Sequence, residues 1–339
     1  MRKSKEITGK PIVLKELNIG LIKAALSGHG QATRVELARM TGISQPTVNL
    51  LIKELTADGT VLNLGAAPST GGRRAEIYTL NHKKLAIVLI AVRDSIFEIS
   101  VTDMELHEEM HDRIERKKEE SCNEQITRIL RELKQENRSI AAVSVGVQGA
   151  VTDLGEVFAV PSVPEWENYP LRAVLEEQLS MPVKVTNDIN AAAAGYRSMH
   201  PQTENMIYLY TDGEGIGAGI ILNGEVYSGS GSFAGELGYM QLGGHSVEEL
   251  MHDQSYDVDF NALMAQVTIN MICMYNPEQI VLDGGTDSAD MLDRIRQECR
   301  RRLPPAALPR MDAAQTEEYY FRGLGELGLE LIDRDIRVV

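Results

Sequence analysis

Between residues 85 and 302, short apolar runs alternate with longer amphipathic segments, a pattern that a chain can bury only as an α/β fold. Residues 85–92 and 140–147 are nearly continuous apolar runs, as expected of strands covered on both faces. Residues 96–102 and 105–114 predict two further strands, turning at Asp103-Met104. Shorter strands are predicted over 183–185, 206–210, 218–222, 225–227 and 280–282. Helical periodicity covers 119–136, 171–179, 188–197, 259–275 and 290–302.

The first 84 residues differ in charge. They hold 13 lysines and arginines against 6 acidic residues, whereas the rest of the chain holds 21 against 43. The formal net charge of -15 therefore conceals a basic head on an acidic body, and only the head suits a polyanion.

The head reads as a winged helix-turn-helix. A first helix passes through Leu17, Leu21, Ile22, Ala25 and Leu26 and stops near Gly28-His29-Gly30. Thr33 begins a second helix with Glu36 at capping-box spacing. After the turn Gly42-Ile43-Ser44, Ser44 caps a third helix carrying Pro46 in its first turn. There Val48, Leu51, Ile52 and Leu55 mark a buried face, while Gln45, Thr47, Asn49 and Lys53 are candidates for base and phosphate contact. Two strands, 61–64 and 77–80, flank a glycine-rich tip in which Arg73 and Arg74 can meet phosphate or the minor groove.

Other features exclude function classes. Cys122, Cys273 and Cys299 are too scattered for a disulfide framework or a metal pair. No apolar run reaches the length of about 18 residues that spans a membrane, and no apolar leader follows Met1, so a cytoplasmic protein without membrane partners is expected. The segment from His107 to His111 matches a zinc-protease pattern, but that chemistry needs a helix, and these residues lie in a predicted strand. Gly213, Gly215 and Gly217 follow a strand like a dinucleotide loop, yet the chain continues as another strand. They fit either a hairpin whose backbone N–H groups face a phosphate or a tight turn that needs glycine.

Several segments together resemble one family. They are 145–151, 161–168, 187–195, 212–219, Ala234-Gly235-Glu236-Leu237-Gly238 and 276–285. In this order they are similar to the ROK family (repressor, open reading frame, kinase), and the head matches its repressor branch. The resemblance implies a two-lobed actin-like ATPase, or sugar kinase-like, fold with a sugar between the lobes. It also implies sugar contacts at Asn187, Asp188 and Glu236, with Asp188 matching the kinase general base. A helix cap at Asn187-Asp188 is the competing reading. Trp166, the single tryptophan, can line the cleft or anchor a loop.

Departures from the family weigh against catalysis. Where the kinases carry D-x-G-G-T, this chain has Ala91-Val92-Arg93-Asp94-Ser95. Where the family has a Gly-His pair followed by a zinc-binding cysteine cluster, it has Gly238-Tyr239 and no cysteine before Cys273. The expectation is therefore a non-enzymatic DNA-binding regulator of carbohydrate metabolism without zinc or ATP. Residues 1–84 bind operator DNA; residues 85–339, in lobes of 85–190 and 191–339, bind a sugar or phosphosugar at Asn187, Asp188, Glu236 and Tyr239. A homodimer or dimer of dimers is expected. The alternatives are an active sugar kinase with a DNA-binding head and a scaffold blind to any effector.

Overall fold

The structure, a computed structural model, describes residues 10–66, 75–117, 119–135, 139–253, 259–285 and 288–337. The chain divides into two compact units, one formed by 1–86 with 103–105 and 330–339, the other by 87–102 with 106–329.

The first unit contains helices α1 (Lys10–His29), α2 (Arg34–Thr41) and α3 (Gln45–Ala57), with strands β1 (Ala32–Thr33), β2 (Val61–Ala66) and β3 (Glu76–Leu80). The strands form one sheet in the order β1-β3-β2. Ile22, Leu26, Leu37, Val48, Leu51, Ile52, Leu55 and Tyr78 make its core. Leu17 and Leu21, grouped by periodicity with Ile22 and Leu26, stay 47% and 41% exposed. α1 carries two apolar stripes, and only the one through Ile22 and Leu26 meets the core. The expected wing tip, with Arg73 and Arg74, lies outside the described residues.

The second unit repeats one pattern twice. Its first half runs β4 (Ala86–Val92), β5 (Ile96–Thr102), β6 (Glu108–Glu115), α4 (Cys122–Gln135) and β7 (Ile140–Val147). A small hairpin, β8 (Ala150–Val151) and β9 (Val157–Phe158), precedes α5 (Leu171–Leu179), β10 (Val183–Asn187) and α6 (Asp188–Met199). The second half begins with β11 (Met206–Thr211), β12 (Ile216–Leu222) and β13 (Glu225–Val226). An inserted hairpin, β14 (Gln241–Leu242) and β15 (His245–Ser246), leads into α7 (Val247–His252). Then come α8 (Phe260–Tyr275), β16 (Gln279–Asp283), α9 (Ser288–Arg302), β17 (Arg310–Ala313) and α10 (Thr316–Arg337), which belongs to this unit as far as Leu329. The two five-stranded sheets, β10-β7-β4-β5-β6 and β13-β12-β11-β16-β17, share one strand order. Each half opens with an antiparallel meander and ends on a helix, α6 or α10.

α6 and α10 cross backbone to backbone. A Cβ on Gly195 would lie 1.9 Å from the Tyr319 carbonyl oxygen, and one on Gly323 would lie 1.7 Å from that of Ala191. Only glycine permits so close an approach. Elsewhere the bounds shift for local reasons. α4 starts three residues after the expected Glu119 because the Glu165 carboxylate accepts from the Cys122 N–H, at 2.7 Å, and from the Ser121 hydroxyl, at 3.2 Å. β6 starts at Glu108, not Glu105, and residues 108–111 are strand. His111 contacts Glu108 and Glu98 rather than a partner histidine.

Candidate functional site

In the head, local capping fixes the ends of α2 and α3. The Thr33 hydroxyl accepts from the Glu36 N–H at 3.3 Å, and the Glu36 carboxylate accepts from the Thr33 N–H at 2.8 Å. The Thr33 N–H and the Thr33 hydroxyl, which also donates to the Glu36 carboxylate at 2.8 Å, hold the Glu36 carboxyl below the usual range. Gly42, at φ 71°, ends α2 in the left-handed region. Ser44 caps α3, its hydroxyl accepting from the Thr47 N–H at 3.4 Å and meeting the Thr47 hydroxyl at 2.8 Å.

With Val48, Leu51, Ile52 and Leu55 turned inward, Gln45, Asn49 and Lys53 form an exposed row at i, i+4 spacing. Thr47 is half-buried, and its hydroxyl is engaged in the cap. Beside this row Leu50 is 57% exposed, a position that the choice of polar candidates missed. Its signal was helical phase alone, since Leu50 follows Asn49 and stands three residues before Lys53. An exposed apolar side chain on such a face can meet a thymine methyl.

In the body, β10 delivers Asn187 and Asp188 to the start of α6. Asn187 is the N-cap; its side-chain oxygen accepts from the Asn190 N–H at 3.0 Å, and its amide donates to the Gly149 carbonyl at 3.1 Å. The Asp188 carboxylate accepts from the Ile189 N–H at 2.9 Å. Burial pushes the Asp188 carboxyl up to about 6, while the Arg93 guanidinium pulls the other way. Burial also raises the Glu236 carboxyl, and the charge of Glu236 adds to the rise at Asp188.

Arg93 stands where the resemblance would place a phosphate loop. β4 and β5 join there through a tight turn in which the Arg93 N–H donates to the Ile96 carbonyl at 3.0 Å. Its guanidinium lies 4.9 Å from the centre of the Tyr320 ring and 3.8 Å from the Glu98 carboxylate. Glu98 is itself held by Arg113, at 2.8 Å.

The glycine turn between β11 and β12 is closed on itself. Asp212 accepts from the Glu214 and Gly215 N–H groups at 3.0 and 2.7 Å, and the Thr211 hydroxyl accepts from the Gly213 N–H at 3.2 Å. A phosphate there would have to displace the Asp212 carboxylate. Gly217 belongs to β12, paired with Tyr210, and a Cβ on it would come within 2.4 Å of Ile189. Its lack of a side chain serves the packing of α6 on β12.

A cavity of about 540 Å³ opens between the loop containing Ala159 to Glu167, the glycine turn and the Glu236–Tyr239 segment. Val160, Pro161, Ile216 and Met251 give it apolar walls. Glu236 and Tyr239 line it; Asn187 and Asp188 do not. Trp166 is fully buried and donates to Asn123 at 2.8 Å, so it anchors the loop instead of lining the cavity. The donor set does not fit the zinc that the resemblance implies. Tyr239 replaces the imidazole, Cys122 and Cys299 are buried on α4 and α9, and Cys273 is on α8.

The ROK family profile matches residues 95–253, and a winged helix-turn-helix DNA-binding profile matches residues 22–61. A putative xylose repressor of Caldicellulosiruptor sp. (strain Rt8B.4) is 29% identical over 243 residues, 69% of this chain and 61% of its own. The DNA-binding transcriptional dual regulator NagC of Escherichia coli (strain K12) is 26% identical over 291 residues, 82% of this chain and 71% of its own. The chain thus spans about 61% of the length of the xylose repressors that it matches. Among solved structures, a ROK family transcriptional regulator, a homologue of the E. coli MLC protein, superposes with a TM-score of 0.74 at 16% identity, covering 96% of this chain and 98% of its own. A ROK hexokinase from Thermus thermophilus gives 0.59 at 20% identity, covering 74% and 99%. By these matches, residues 22–61 are similar to winged helix-turn-helix DNA-binding domains and residues 95–253 to the ROK family.

Proposed function

We propose that this protein is a DNA-binding transcriptional regulator, a repressor of carbohydrate genes whose body answers to a sugar. The observation that carries the reading is the exposed row Gln45, Asn49 and Lys53 on a fully capped α3, presented by a basic head on an acidic ROK-family body. The names of the relatives, xylose repressor and NagC, support it. The regulator works as a homodimer or dimer of dimers in the cytoplasm, on a two-fold symmetric operator with half-sites about 34 Å apart or a multiple of that. It needs neither zinc nor ATP and is not an enzyme. Cysteines are missing beside Tyr239, and the donors of the glycine turn are already engaged.

Selection of binding sites from random duplexes, followed by titration at several salt concentrations, tests this. Asn49→Ala is expected to relax base preference. Lys53→Ala is expected to weaken all sequences alike and to reduce the salt slope by about one. Undiminished DNA binding after deletion of residues 1–84 would refute the assignment of the head. No described helix is long and apolar enough to cross a membrane.

A further inference from the structure

The loop between β9 and α5 has two faces. Val160, Pro161, Pro164 and Glu167 line the cavity. The other face is held from behind. Glu165 accepts from the Cys122 N–H at 2.7 Å, Trp166 donates to Asn123 at 2.8 Å, and the Ser162 carbonyl accepts from Arg116 at 3.1 Å. Cys122 and Asn123 belong to α4, but Arg116 follows the end of β6 and has a second grip.

While its Nη2 donates to Ser162, its Nη1 donates to the carbonyls of Arg93 and Asp94, at 2.7 and 2.9 Å. Its backbone N–H donates to the Ser95 carbonyl at 2.8 Å, and the guanidinium lies 5.7 Å from the centre of the Phe97 ring. The charge of Arg116 is thus spent on neutral carbonyls of two segments far apart in sequence. A planar fork of donors suits that task, whereas an ammonium on a flexible stem does not. The turn that Arg116 grips sends the Arg93 guanidinium to within 4.9 Å of the centre of the Tyr320 ring, on α10. α10 runs on to Arg337, and its residues from 330 onwards group with the head. Direct contacts therefore lead from the cavity wall to a helix that the two units share.

We propose that Arg116 is a positioning residue that couples the cavity to the head. A shift of the wall loop passes through its fork to the Arg93 turn and from there, through Tyr320, to α10. The proposal rests on the reading of the body as the sugar-responsive part and names the route of its regulation. A ligand that fits one position of the wall better than another shifts the turn and the helix with it, because packed contacts repack as a set.

Coupling of this kind is reciprocal, so the head can serve as the input and no sugar is needed. Hydrogen exchange of the full chain is followed with and without a saturating duplex selected from random sequences. The reporters are the N–H groups of Val163 and Trp166 in the wall, bonded to the Val160 and Val163 carbonyls, and that of Arg93 in the turn. In the unaltered chain the duplex is expected to change their exchange rates by about fivefold, the low end of allosteric couplings. Arg116→Lys keeps the charge and loses the fork; the wall should then exchange faster in both states, and the response to DNA should fall below about twofold. A merely structural Arg116 would raise both rates and preserve their ratio. Arg93→Met, which removes the contact with Tyr320, should abolish the response, and Tyr320→Phe, which keeps the ring, should retain it. A wall that does not respond in the unaltered chain, although the duplex protects α3, overturns the proposal and leaves the DNA-binding reading standing. An undiminished response in Arg116→Lys overturns it too. A head that no duplex protects overturns both.

Discussion

Asn187 and Asp188 are neighbours with different work. The carboxamide of Asn187 is used on both sides, in the cap of α6 and in the bond to Gly149, so it serves the fold first. Asp188 is a carboxyl raised from 3.8 to about 6 by burial. A folded value above the unfolded one means that ionisation costs the folded state stability. The cost is absent below about pH 4, grows as pH rises towards 6 and is complete above it, reaching up to about 3 kcal/mol. Asp188→Asn is therefore expected to raise the melting temperature above pH 6, with the gain vanishing near pH 4. Melting curves at stepped pH check this, and a gain that did not change with pH would contradict the burial of the charge. In the sequence this pair was legible only as two readings, cap or sugar contact. An N-cap and a hydrogen-bonding site need the same side chains, so spacing could not separate them.

At the scale of the element, two kinds of contact can be told apart by their cost. Thr33→Ala removes half of the capping box of α2 and is expected to cost about 1 kcal/mol. Gly323→Ala drives a methyl group into the backbone of α6 and is expected to cost roughly 3 kcal/mol, since backbone cannot step aside as a side chain does. Urea unfolding of the two variants measures both. The bounds of α5 and the buried face of α3 were readable from periodicity, because each helix packs a single regular face, and those of β7 from a continuous apolar run, because that strand is covered on both faces. The end of the chain was not. α10 holds Gly323, Gly325 and Gly328, which lower helix propensity and hide the pattern. Their reason lies in tertiary contact, where Gly323 meets Ala191, Gly325 meets Leu106 and Gly328 meets Ile87. The two stripes of α1 failed for another reason: periodicity finds apolar faces but does not say which face is covered.

At the scale of the molecule, the body repeats one strand order in two sheets, and the turn between β4 and β5, where the ROK resemblance implies a phosphate loop, holds Arg93, packed on Tyr320 beside Glu98. Phosphoryl transfer depends almost wholly on holding phosphates and metal in place. A coupled ATPase assay across a sugar panel is expected to show no sugar-dependent turnover. Turnover that disappears in Asp188→Asn would identify a kinase instead. The loop between β9 and α5 has one more consequence, an optical one. Trp166 is the only tryptophan in the chain, is fully buried, and stands between Pro164 and Glu167 of the cavity wall. The head holds no indole, so ultraviolet-excited tryptophan emission reads the body alone. Its melting curve can be set against that of the helical dichroism to which both units contribute, and an emission shift on titration reports a ligand in the cavity without any added label.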